Sequence, residues 1–157
     1  MNFKRLAGVT LTMVLALFIT PKLAFATDKT DVLAAAHQYF DNLDNDHLQK
    51  ALGMCNASVT IIDEFPPHEW SGTTACADWW KALNAYNDKN GITEAVAKLG
   101  VPWSVDVNGD RAYAVIPATY TYKQNGKTVT ESRSVWTVVL ERTSAGWRIT
   151  AWTWSKH

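Results

Sequence analysis

Apolar side chains recur at three- and four-residue steps through Val32, Leu33, Ala36, Phe40 and Leu43, while Asp31, Gln38, Asp41 and Asn42 fall mostly between them. That spacing predicts an amphipathic helix with one buried stripe. The polar run from Asn42 to Asp46 breaks it, and a short second helix resumes through Leu48, Leu52 and Cys55. The β-branched segment Ser58-Val-Thr-Ile-Ile-Asp63 predicts a strand that Pro66 and Pro67 stop. Thr73 or Thr74 can cap a third helix, whose buried stripe is Cys76, Trp79, Trp80 and Leu83 and which Asn90-Gly91 ends.

Beyond residue 94 the period changes to two. Alternating runs at 101–107, 112–122, 128–142 and 147–154 are separated by Asn108-Gly-Asp, Asn125-Gly and Ser144-Ala-Gly, and Asn-Gly between alternating runs is a strong hairpin signal. A four-strand antiparallel meander preceded by helices predicts an α+β domain in which the helices cover one face of a twisted sheet. Strand parity assigns the faces. Ala112, Ala114, Ile116, Ala118, Tyr120, Ser134, Trp136, Val138, Leu140, Ile149 and Ala151 form the more apolar set and should face the helices; Val115, Val139, Trp152 and Trp154 fall on the outer set.

The start of the chain changes the picture of where the protein works. Lys4 and Arg5, an apolar run from about Leu6 to Thr20, and Pro21-Lys-Leu-Ala-Phe-Ala26 follow the charged, apolar and small-residue order of a secretory signal. Cleavage is expected after Ala26, giving a periplasmic or secreted domain of residues 27–157 that no longer engages a membrane. The chain has 157 residues with 15 Lys+Arg and 15 Asp+Glu. The signal holds three cations and no acid, so the remaining domain carries 12 basic and 15 acidic residues. A net charge of −3 leaves no electrostatic footprint for nucleic acid. The two cysteines, Cys55 and Cys76, can pair in an exported chain or stand as two buried thiols, and the sequence leaves both open.

Several marks in order, namely Gln38-Tyr-Phe40 with Leu43, Val59-Thr-Ile-Ile-Asp63, Trp70-Ser-Gly72, Trp79-Trp80 and Gly146-Trp-Arg-Ile149, make residues 31–155 resemble the nuclear-transport-factor-two-like superfamily. That superfamily includes the ketosteroid isomerases and the SnoaL-like polyketide cyclases. The resemblance implies a cone-shaped, strongly curved antiparallel sheet whose N-terminal helices close an apolar pocket. It also places Asp63 where the isomerases carry a general-base aspartate and Tyr39 where they carry an oxyanion-binding tyrosine. A carboxylate can move a proton between carbons beside a carbonyl, and a phenol can stabilise the enolate oxygen. Two positions depart from the isomerase pattern: Ser134 stands at or near its second oxyanion donor, and Trp80 replaces a supporting tyrosine. Steroid isomerisation itself is therefore not expected.

Each candidate has a plainer alternative. Asp63 can be a solvated carboxylate at a strand end, although its parity with Val59 and Ile61 puts it on the apolar face, where desolvation makes a better base. Tyr39 can be a core ring with a satisfied hydroxyl. Trp79, Trp80, Trp103, Trp136, Ile116, Ala118, Tyr120 and Ser134 are candidates for the pocket wall, with core packing as the alternative for each. Trp152 and Trp154, with Val115 and Val139, make an exposed outer patch and predict a homodimer. His37, His47, His68 and His157 show no ligand spacing, so no metal is expected, and no cofactor motif is present. Three functions remain in play: binding of a small apolar or aromatic molecule; isomerase, cyclase or dehydratase chemistry with Asp63 as base and Tyr39 as oxyanion donor; and a dimerising association module without a ligand.

Overall fold

The structure is a computed structural model that describes residues 22–156, with side chains from Asp28 onward. Of the expected secretory signal (residues 1–26), residues 1–21 lie outside the described residues, and 22–26 contribute only helical backbone.

Helix α1 spans Lys22–Asp44 and buries Val32, Ala36, Phe40 and Leu43 of the predicted stripe together with Tyr39, while Leu33 is half-buried. It ends where Asp46 turns to a φ of 58° and the Asn45 side chain takes the Asp41 carbonyl. Helix α2 (Leu48–Leu52) follows, then strands β1 (Cys55–Ile62) and β2 (Glu69–Gly72). Helix α3 (Ala75–Asn90) starts at Thr74, whose side chain makes no capping bond, and stops at Gly91, whose φ of 62° suits a residue without a side chain. A Cβ on Gly91 would collide with the Asn125 side chain, so the helix end sits tightly against the β5–β6 turn.

Strands β3 (Ile92–Leu99), β4 (Ser104–Asn108), β5 (Arg111–Gln124), β6 (Lys127–Thr143) and β7 (Gly146–Lys156) complete a seven-stranded sheet in the order β2-β1-β7-β6-β5-β3, with β4 also on β5. The expected meander is present as β4 to β7, and the Asn125-Gly126 turn takes positive φ at both positions, as Asn-Gly hairpins require. Strand β1 runs parallel to β7. The sheet curves around the helices without closing, which is the expected α+β cone.

Two bulges bend the long strands. In β6, Ser132 and Arg133 together oppose Thr119, because Ala118 pairs with Ser134 and Tyr120 with Glu131. In β7, Thr150 is the extra residue, because Leu140 pairs with Ile149 and Val139 with Ala151. A one-residue insertion reverses the facing of everything beyond it. Trp152 therefore pairs with buried Val138, and Trp154 with buried Trp136, so both indoles face inward. The expected outer-face interface at Trp152 and Trp154 is thus corrected: Trp152 is only 4% exposed. Val115 and Val139 do lie on the outer face, paired with Thr137 and with Tyr113 and Ala151.

One end of the cone is packed solid. The ring of Tyr39 stacks parallel to Trp136 at a centroid distance of 6.1 Å, Phe40 meets Trp136 edge-on at 4.9 Å, and Ile116, Ala118 and Ser134 are buried beside them. The other end, between α3, β3 and the far halves of β5 to β7, stays open.

Candidate functional site

Asp63 directly follows β1, and the alternation that buries Val59 and Ile61 turns its carboxylate inward, where it is only 8% exposed. The chain then reverses: His68 donates its backbone N–H to Phe65, and Asp63 donates its own to His68, both at 3.0 Å. This turn places the Glu64 backbone N–H against Asp63 Oδ1 at 2.7 Å. From the opposite side α3 delivers Trp79, whose indole N–H donates to Asp63 Oδ2 at 2.9 Å. Burial raises the carboxyl to about 6; the hydrogen bonds from Trp79 and the Glu64 backbone oppose it in part, and the charges of Glu64 and Lys156 act in opposite directions. The His68 ring contacts the Asp63 backbone carbonyl at 3.2 Å, so it does not share the carboxylate.

The cavity beside Asp63 encloses about 890 Å³. Trp79 meets Trp152 edge-on at 4.8 Å, and both line it with Trp80 behind. Phe40, Trp154 and Tyr120 form a second aromatic wall with successive centroid distances of 6.1 and 6.0 Å. The Tyr120 hydroxyl is pushed up to about 12, chiefly by burial; the nearby Asn87 side chain moderates the rise, and the charges of Glu131 and Asp63 add to it. Leu83, Ile92 and Val96 supply aliphatic surface.

A polar cluster edges the same cavity. Lys156 Nζ reaches Glu64 Oε1 at 2.7 Å and Glu131 Oε1 at 2.9 Å, and the Tyr122 hydroxyl donates to Glu131 Oε1 at 2.9 Å. Burial alone would lower the Lys156 ammonium, but the bonds to Glu64 and Glu131 outweigh it and hold it well above the ordinary lysine value. Among the described residues no group of three or more His, Cys, Asp or Glu side chains is placed to hold a metal ion.

The structure sorts the expected site residues into three groups. Asp63, Trp79, Trp80 and Tyr120 come together on the cavity wall. Ile116, Ala118, Ser134 and Trp136 are inward but lie in the packed core, where Tyr39 and Phe40 fill the space a ligand would need. Trp103 is a correction: at 62% exposure it sits on the surface, where the chain crosses from β3 to β4.

Tyr39 is also corrected, since it is buried against Trp136 and is not part of the cavity wall. Burial drives its hydroxyl far above the ordinary phenol value; Trp152 Nε1 lies near enough to moderate this without closing a full hydrogen bond, and the charge of Asp63 adds to the rise. The cavity's phenols are Tyr120, Tyr122 and Tyr86.

Sequence reasoning missed the Glu64–Lys156–Glu131–Tyr122 cluster and the inward Trp152 and Trp154. The β6 and β7 bulges invert parity at Glu131 and Trp152, and a bulge carries no compositional mark in either strand. Cys55 and Cys76 form a disulfide with an S–S distance of 2.01 Å, linking β1 to the first turn of α3.

A SnoaL-like domain family model matches residues 30–156. No curated protein sequence matches the chain. Among solved structures, an NTF2-like protein with a cystatin-like fold from Novosphingobium aromaticivorans is 18% identical, with a TM-score of 0.69 over 86% of this chain and 85% of that one. A nuclear transport factor 2 (NTF2-like) superfamily protein from Salmonella enterica is 19% identical, with a TM-score of 0.69 over 84% and 92%. A ketosteroid isomerase-like protein from Erwinia carotovora atroseptica is 13% identical, with a TM-score of 0.65 over 82% and 95%. These likenesses are of fold. With the family match covering nearly all of the described residues, the chain belongs to the SnoaL-like domain family.

Proposed function

We propose that this chain is an exported protein that binds a small molecule in the cavity beside Asp63. The observation that carries the reading is an open, aromatic-walled cavity of about 890 Å³ with a desolvated carboxylate on its wall. Ligand sites are commonly of this size, largely apolar with a few placed polar groups. Had the indoles filled the cone, a binding role would have had no room. Export is supported by the charged, apolar and small-residue order of residues 1–26 and by the Cys55–Cys76 disulfide, which an oxidising compartment maintains.

Proton-transfer catalysis on a small carbonyl compound is the second reading, and one observation favours it. Asp63 is raised to about 6, closer to neutral pH and so better matched to general-base work, and Tyr120 lines the same cavity. Tyr120 replaces Tyr39 as oxyanion donor in this reading. The association-module reading loses its two indoles. A homodimer through Tyr113, Val115 and Val139 of the outer face stays a proposal that sedimentation of the purified domain tests.

Mass spectrometry of small molecules released from the purified protein tests the main reading, repeated on Asp63→Asn. A ligand released from the wild-type protein supports binding. Conversion of that ligand by wild-type protein, abolished in Asp63→Asn, shifts the function to catalysis. No released ligand, together with no tryptophan quenching by small aromatic probes, overturns both.

A further inference from the structure

The charge of the cavity wall is strongly one-sided. Asp44, Asp46, Asp63, Glu64, Asp88, Glu94 and Glu131 all line it, with Asp63 the buried one among them, against a single lining cation, Lys156. Lys156 is already shared by Glu64 and Glu131. Outside the wall, Lys123 pairs with Glu94 at 2.7 Å and Lys98 lies near Asp44. Setting these three lysines against the seven acids still leaves four negative charges facing the cavity. Low-dielectric walls focus such a field and favour a ligand of opposite sign.

Two further observations concern what the wall still lacks. Glu131 uses Oε1 for both Lys156 and Tyr122, and its Oε2 is buried without a hydrogen-bond partner. A carboxylate oxygen left this way has no donor to offset its charge, which adds to the negative field on this side of the cavity. The wall between the acids is aromatic on two sides, Trp79 and Trp152 on one and Phe40, Trp154 and Tyr120 on the other. Aromatic faces carry negative quadrupole potential and attract ammonium groups. An anionic ligand would meet repulsion from the acids.

We propose that the cavity selects a small organic cation, an amine in protonated or quaternary form carried on an aromatic or aliphatic body. The proposal rests on the ligand-binding reading above and narrows it from an apolar molecule to an apolar body with a positive head.

Phenyltrimethylammonium and tert-butylbenzene have the same shape and differ in charge, so their binding to the full domain separates shape from electrostatics. Tryptophan quenching at neutral pH and low salt is expected to give the cation at least about a tenfold tighter constant. The advantage should shrink as salt is raised, because screening reaches the solvent-facing acids. In Glu131→Gln the preference for the cation over its isostere should fall several-fold. Asp88→Asn, at an exposed lining position, should lower it in the same direction and guards against a folding defect in the first variant. Equal binding of the two probes, or preference for tert-butylbenzene, overturns the cation proposal and leaves the pocket reading standing. Failure of both probes to bind, together with no ligand released from the purified protein, overturns both.

Discussion

Trp79 holds Asp63 by its inner oxygen: the indole N–H of α3 donates to Oδ2 at 2.9 Å, while Oδ1 takes the Glu64 backbone N–H at 2.7 Å. Helix and strand end are thus joined through a buried charge. Trp79→Phe keeps most of the ring volume and removes the donor. The Asp63 carboxyl should then rise further above 6, read from its NMR titration, with a stability loss of about 1–3 kcal/mol by denaturant unfolding. An unchanged titration would mean that this bond does not hold the carboxylate.

The same carboxyl makes stability depend on pH in a defined window. Its folded value, about 6, lies above the ordinary 3.8, so the folded state binds the proton more tightly than the unfolded state does. Its contribution is therefore full below about pH 4 and is lost as pH rises through 6, a decline of roughly 2–3 kcal/mol. Asp63→Asn should flatten the urea-midpoint profile between those limits. A profile equally steep in the variant would assign the dependence to another group.

Thr150 decides which way two indoles point, and truncation tests that directly. Trp152→Ala should cost about 3–5 kcal/mol, as expected for deleting a buried aromatic, whereas Tyr113→Ala on the outer face should cost less than about 1 kcal/mol. Comparable losses at the two positions would put Trp152 back on the surface.

Residues 55 and 76 are 21 apart. Closing a loop of that length restricts the unfolded chain, and the Cys55→Ser/Cys76→Ser double variant should lose about 3 kcal/mol relative to the oxidised protein. Thermal unfolding with and without reductant checks it: reduced wild type and double variant should coincide.

Much of this molecule is legible in its pattern, and the illegible part has definite causes. Val32 to Leu43 read correctly as the α1 stripe because one face alone meets the sheet. Asn90-Gly91 and Asn125-Gly126 marked their turns because positive φ is needed there. Asp63 was found on the inner face because β1 runs without a bulge from Val59 to Ile62 against β2. Parity failed at Trp152 and Trp154, since both lie beyond the inserted Thr150 on β7. Trp103 was misplaced for another reason: it precedes β4, where no alternation governs its direction. The depth of Tyr39 was also out of reach, because a helix stripe tells which face is buried and not whether a cavity or another ring lies beneath it.

The Cys55–Cys76 bond lies one helical turn from Trp79, and Trp79 carries the donor to Asp63. Oxidation of the two thiols is therefore also an act of assembly for the cavity, locking α3 at the angle from which its indole reaches the carboxylate. In a thiol-rich surrounding that tie is lost, and only packing holds the indole at the carboxylate. The redox state around the protein would then set how firmly the site is formed.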